Sequence, residues 1–202
     1  ELENKELKRI LKAGVGGVIL FGGTGTELAH RSKILKKWSK KPLLLCADVE
    51  EGLGQRFLGG SWLMPPMAVD HVFQKDPERA LRLAEEYGRC IGAQASICGL
   101  NWVLAPVCDI NSNPLNPVIN MRAWGEDPRT VSKLVCAFHR GLSSQGVLTC
   151  AKHFPGHGDS DVDSHLALPI LQHDAKRLEN YELQPFEAIV AEGVDSVMSA
   201  HI

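Results

Sequence analysis

The run Val147-Leu148-Thr149-Cys150-Ala151-Lys152-His153-Phe154-Pro155-Gly156-His157-Gly158 changes character at its midpoint. Val147 to Ala151 is short, apolar and rich in β-favouring residues, and reads as a buried strand. Pro155 lacks the N–H that a helix needs and its ring clashes with the preceding turn, so the following segment is a shaped loop. Lys152 and His153 stand where the strand gives way to that loop.

The same arrangement recurs along the chain. Strands are expected at Gly17 to Phe21, Leu43 to Ala47, Trp102 to Val107 and Ser196 to Ala200, alternating with amphipathic helices at Thr26 to Lys40, Pro77 to Cys98, Pro128 to Gln145 and Asn180 to Glu192. Asp127 before Pro128 forms an N-cap followed by proline at the first helical position. Strands alternating with helices imply βα units around a parallel sheet. Asp48, Asp109, Lys152 with His153, and His201 each follow a strand directly. In a parallel α/β sheet or barrel these C-terminal strand ends share one face, where active sites are built.

Bulk properties narrow the function. The 202 residues are 44% hydrophobic and carry 22 basic against 24 acidic side chains, a formal net charge of −2. One core-forming domain spanning residues 1–202 is expected. The balance gives no reason to expect a nucleic-acid or anionic-membrane partner and suits a neutral small molecule. No run approaches the roughly 18 apolar residues of a membrane span, and the N-terminal segment is charged and helical, unlike a signal peptide. Cys46, Cys90, Cys98, Cys108, Cys136 and Cys150 form no C-x-x-C pair, which points to reduced thiols and a cytoplasmic setting. The oligomeric state is not legible.

The segment Lys152 to His165 holds most of the chemistry. Besides Lys152 and His153 it packs in His157, Asp159, Asp161, Asp163 and His165. His153 and His157 have i, i+4 spacing, but Pro155 and Gly156 break the helix that would aim both at a zinc ion, so no metal is expected. Asp163 and His165, two apart, can face one side of an extended loop. A carboxylate on one ring nitrogen fixes the tautomer and leaves the other free for proton transfer. Histidine's unperturbed pKa of about 6.5 suits that task near neutrality.

Lys-His-Phe-Pro-Gly-His-Gly followed by Asp-Ser-His resembles the motif of family 3 glycoside hydrolases of the bacterial β-N-acetylglucosaminidase (β-N-acetylhexosaminidase) type. Asp48 to Phe57 is similar to that family's D-x-E-G-G-x-x-Q-R-F, and Asn116 to Arg122 to its N-P-V-I-G-x-R. The resemblance implies a TIM-type (β/α)8 catalytic barrel, of which about five strands are visible. One strand before Glu1 and the remainder after Ile202 would then be missing, and the nucleophilic aspartate would lie beyond Ile202. The chain by itself would be inactive. By the same resemblance His165 is the general acid/base and Asp163 its orienting partner. Asp48, Arg56, Arg122, Lys152 and His153 bind the sugar, and no cofactor is needed. Asp109 and His201 are expected only to support these residues, and the role of Glu50 is open. Glu51 and Asn120 replace usual glycines, and Leu53 takes a position that is often basic.

The implied reaction removes a terminal β-linked N-acetylhexosamine with retention by double displacement, with an aspartate as nucleophile and His165 as general acid and then base. A glycoside phosphorylase or β-glucosidase of the same family, a non-catalytic sugar-binding barrel, and a phosphate- or nucleotide-binding barrel are the rivals. The last rests on Gly22 to Thr26 between a strand and a helix.

Overall fold

A computed structural model describes residues 4–162, 166 and 168–202. In chain order the elements are α1 (Asn4–Ala13), β1 (Gly17–Ile19), β2 (Gly23–Thr24), α2 (Gly25–Trp38), β3 (Leu44–Ala47), β4 (Phe57–Leu58), α3 (Met67–Phe73), α4 (Pro77–Ile97), β5 (Trp102–Val103), α5 (Pro128–Ser143), β6 (Ala151–Phe154), α6 (Ala175–Arg177), α7 (Gln184–Ala191) and β7 (Val197–Ser199). A π-helical turn, Leu178–Glu182, joins α6 to α7.

β1, β3 and β5 pair in parallel in that order, and β6 pairs in parallel with β7. Parallel bridges from Trp102 to Leu148 and from Val107 to Lys152 join the two groups. The result is an arc in sequence order, β1-β3-β5-β6-β7, the staves of a (β/α) barrel; the arc does not close among the described residues. Asn101 fixes one register with its side chain, accepting from the Leu45 amide at 2.7 Å and donating to the Leu43 carbonyl at 3.0 Å.

Two strands differ from expectation. The third expected strand, Trp102 to Val107, is regular only over Trp102–Val103, because Pro106 has no N–H to give to the ladder. The fourth was expected at Val147 to Ala151, but its regular ladder runs over Ala151–Phe154. Val147 to Cys150 is still tied to its neighbour, with Leu148 bonded to Asn101 and Val103, and Cys150 to Ala105. The regular ladder of Ala151–Phe154 is its pairing with β7, so Lys152 and His153 lie inside β6 rather than after it. The final helix is also shorter than expected, because its first turn is the π-helical Leu178–Glu182.

Capping follows the sequence. Asp127 accepts from the amides of Arg129 and Thr130 with Pro128 at the first helical position, and Asp76 before Pro77 accepts from Arg79. The helices cover the outer face of the arc. Ile91, Leu134, Phe138, Leu142 and Ile189 bury their side chains with Leu45, Ala47 and Val103 of the strands in one core. Trp124 sits between Tyr87 and Phe138, with ring centroids 5.4 Å and 5.3 Å away.

α4 and α5 cross through paired glycines. A methyl group at Gly141 would collide with the Glu85 carbonyl, and one at Gly88 with the Phe138 carbonyl. Both obstacles are backbone, which cannot swing aside as a side chain would. Gly141→Ala should therefore force the helices apart and destabilise the protein by about 2–4 kcal/mol. Thermal unfolding checks this: a melting temperature within a degree of wild type would show that the crossing is looser than described.

Candidate active site

β3 ends at Ala47, and the chain then turns sharply through Asp48, Val49, Glu50 and Glu51. The Gly52 amide closes the turn on the Val49 carbonyl. Gly52 has φ +103°, a left-handed conformation natural to glycine. This turn sets Asp48 and Glu50 at the C-terminal end of β3. Lys152 in β6 reaches across from two strands away.

Its Nζ lies 2.7 Å from Asp48 Oδ1 and 3.4 Å from Glu50 Oε2, and the side chain is 1% exposed. Glu50 is 3% exposed, and its Oε1 accepts from Arg122 Nε at 2.9 Å and Nη2 at 2.8 Å. Arg122 comes from a 3-10 turn, Asn120–Arg122, in the loop after β5, and its Nη1 also donates to the Val118 carbonyl. Burial alone would push the Glu50 carboxyl up, but the Lys152 ammonium and the Arg122 guanidinium reverse this and hold it well below the usual carboxylate range. Two carboxylates thus meet two cations around one cleft.

His153 brings the second network. Its Nδ1 is 2.7 Å from Asp109 Oδ2, and its amide lies 3.2 Å from both Asp109 oxygens. The His157 amide donates to Asp109 Oδ1 at 2.7 Å. Burial would raise the Asp109 carboxyl, yet His153 and the two amides leave it lowered. At His157 the Ser160 hydroxyl donates to the His157 carbonyl at 3.0 Å and accepts from Asn116 Nδ2 at 3.2 Å. The 2.6 Å contact between His157 Nδ1 and Ser160 Oγ is therefore N–H to oxygen. His157 then carries its lone pair at Nε2, which is buried without a partner among the described residues.

Asp48, Glu50, Arg56, Arg122, Lys152 and His153 all line one cleft of about 490 Å³, together with His157 and His201. Five expected sugar-binding residues are thus brought together. Arg56 is the most loosely held: it is exposed at the mouth, and its Nε is 3.4 Å from the Asp48 carbonyl. His201 is exposed on the wall made by the segment after β7. Asp163 and His165, the expected acid/base pair, lie outside the described residues.

Satisfied and open groups separate cleanly. Each Asp109 oxygen accepts two hydrogen bonds, so that carboxylate has no capacity left for a ligand, whereas Glu50 lines the cleft with two bonds at Oε1 and one at Oε2, at 3.4 Å. Asp48 commits Oδ1 to Lys152, leaving Oδ2 without a partner among the described residues. Sequence reasoning left Glu50 unassigned, because an acidic residue in a turn does not announce which distant cations it meets. The described Asp48 carboxylate contact is with Lys152 and not with an amide of the following turn.

Two other sequence features resolve structurally. At Gly22 to Thr26, Thr24 and Glu27 cap each other, the Glu27 carboxylate accepting from the Thr24 amide and hydroxyl at 2.8 and 2.9 Å. An acidic group already occupies the helix N-terminus, which opposes phosphate there. The six cysteines are free thiols, and no described helix is long and apolar enough to cross a membrane.

Glu50→Gln should leave Lys152 and Arg122 undercompensated and destabilise the protein by about 3 kcal/mol at pH 7. Because the native Glu50 carboxyl titrates lower than the unfolded one, its contribution is complete above the unfolded pKa of about 4.3. It is lost progressively as pH falls below that value. Urea unfolding at pH 7 and pH 3.5 should show the difference between variant and wild type shrinking with acid. A constant difference would contradict the charge pairing.

The family model described as glycosyl hydrolase family 3 N terminal domain matches residues 1–202. A beta-hexosaminidase of Neisseria meningitidis serogroup C (strain 053442) is 34% identical over all of this chain, which spans 57% of that protein. NagZ from Neisseria gonorrhoeae, solved with N-trifluoroacetyl-D-glucosamine, is 33% identical with a TM-score of 0.90, over 100% of this chain and 60% of that one. The beta-glucoside phosphorylase BglX bound to 2FGlc is 31% identical with a TM-score of 0.84, over 93% of this chain and 33% of that one. The chain thus spans about three fifths of the hexosaminidase relatives, and its strand-end cleft falls within the shared part. It belongs to the N-terminal domain family of family 3 glycosyl hydrolases.

Proposed function

We propose that the protein is a retaining glycoside hydrolase that removes terminal β-linked N-acetylhexosamine. The observation that carries this reading is the Asp48–Lys152–Glu50–Arg122 network at the strand ends, with Asp48 Oδ2 left open beside cationic donors. A sugar offers adjacent hydroxyls, each both donor and acceptor. A half-occupied carboxylate accepts hydrogen bonds from them while Lys152, Arg56 and Arg122 donate to their oxygens. The near balance of charge around the cleft suits an uncharged ring. The hexosaminidase relatives and the NagZ complex with a glucosamine derivative support the N-acetylated sugar.

The reaction proceeds by two displacements. A carboxylate attacks the anomeric carbon as the bond to the leaving oxygen breaks, and His165 gives that oxygen its proton. His165 then takes a proton from the water that releases the sugar. Asp163 holds the His165 ring in the required tautomer and stabilises the imidazolium. The attacking group is not Asp109, each of whose oxygens already accepts two hydrogen bonds. The chemistry calls for no metal or organic cofactor, and the six free thiols favour a reducing, cytoplasmic setting.

A second reading, phosphorolysis, is favoured by the likeness to BglX. Phosphate would replace water in the second step, and a neutral histidine repels an incoming anion less than a carboxylate would. Product analysis separates the two: a sugar 1-phosphate formed only with added phosphate establishes the phosphorylase, and free sugar at an unchanged rate establishes the hydrolase.

In the complete gene product, His165→Ala should slow substrates with poor leaving groups by about 10²- to 10⁴-fold, while activated aryl glycosides lose much less in the glycosylation step. Equal losses on both substrate classes would remove His165 from the acid role.

A further inference from the structure

Asp109 is fully buried, stands at the end of the third strand segment and does not line the open cleft. An isolated carboxylate in such a place is costly, and water does not solvate this one. Among the described residues its hydrogen bonds all come from one short stretch: Oδ2 faces His153 Nδ1 at 2.7 Å, and the remaining capacity takes the amides of His153 and His157. A carboxylate anion only accepts, so the short contact requires the proton to be on Nδ1. The neutral ring is then left with its lone pair on Nε2, and His153 lines the cleft.

We propose that Asp109 is a positioning residue that locks His153 with Nδ1–H turned inward, so that Nε2 is presented to the cleft as the acceptor for a sugar hydroxyl. The lock follows from the geometry alone; only the identity of the group met by Nε2 rests on the reading of the cleft as a sugar site. The two amide bonds do a related task, holding the backbone on either side of Pro155 so that the ring cannot swing out with its loop. This assigns Asp109 more than general support of the cleft. It selects which nitrogen of His153 the ligand meets, which a packing residue of the same size would not do.

The test uses the complete gene product labelled with 15N-histidine. Two-bond 1H–15N spectra at pH 8 report which ring nitrogen is protonated, and the His153 signals are identified by their loss in His153→Gln. The expected wild-type result is a protonated Nδ1. In Asp109→Asn the Nε2–H form should appear, and kcat/KM on an aryl N-acetylglucosaminide should fall about 10- to 100-fold, mostly through KM, the scale of leaving one desolvated polar group unpaired. An unprotonated Nδ1 in the wild type overturns the lock, and this arm stands even if Asp109→Asn does not fold. A variant that melts lower but keeps the wild-type tautomer and KM makes Asp109 a structural clamp, which also overturns it. A shifted tautomer with unchanged KM refutes the sugar contact. A wild type that turns over no N-acetylhexosaminide at all sinks the proposed function instead, leaving the spectra to judge the lock.

Discussion

An ammonium group buried to 1% exposure is the constraint on which the architecture turns. Lys152 cannot keep its charge there without carboxylates, and the two that serve it come from a turn roughly a hundred residues earlier in the chain. Burying Glu50 beside it creates a second need, met by Arg122. Each charge is tolerable only because the next is in place, so the network couples the ends of β3, β5 and β6 more tightly than their short ladders do. A slip of one residue in β6 would turn Lys152 to the opposite face of the strand and leave Glu50 half-paired. The register that the backbone establishes is therefore also enforced by electrostatics, and the same residues form the floor of the cleft.

Within that floor the acidic residues divide by how fully they are satisfied. Glu50 and Asp109 are buried and take three and four hydrogen bonds; they hold cations, amides and one imidazole in place. Asp48 is partly open and keeps one oxygen without a partner among the described residues. Residue type does not distinguish these roles, and neither does distance from the strand end. What distinguishes them is how many hydrogen bonds the protein itself supplies. A site that must bind a neutral polyol needs both kinds, since unsaturated groups contact the ligand and saturated ones prevent those groups from relaxing toward each other.

Much of this was legible from sequence because a parallel strand places whatever follows it on a known face. Asp48 follows its strand as that rule requires, and Lys152 and His153, expected after theirs, lie inside β6 yet line the same cleft. The rule failed where the chain departs from regularity. Pro106 removes one ladder donor from the third strand, and the regular part of the fourth, paired with β7, is Ala151–Phe154; apolar patterning carries no trace of this, since Val147 to Cys150 is bonded as a strand would be and only Leu148 in it is exposed. Glu50 was illegible for another reason. Its importance lies in meeting Lys152 and Arg122 at once, a property of three distant segments and not of any local pattern. The saturation of Asp109 by two amides also depends on loop geometry that no residue spacing encodes.

The departures from the family motif gain a common explanation from their positions. Glu51, where glycine is usual, turns away from the cleft, and its carboxylate accepts from the Trp62 indole at 2.9 Å. Leu53, where a basic residue is frequent, is buried in the main core. Asn120 replaces a glycine at φ +40°, a conformation that asparagine tolerates better than most residues, and its side chain donates to the Pro114 carbonyl. None of the three lines the cleft, whereas Asp48, Arg56, Arg122, Lys152 and His153 all do. The substitutions alter the backing of the site, where a new hydrogen bond or apolar contact can absorb them locally. A change among the charges of the floor has no such local remedy, because each of those groups is the partner that another needs.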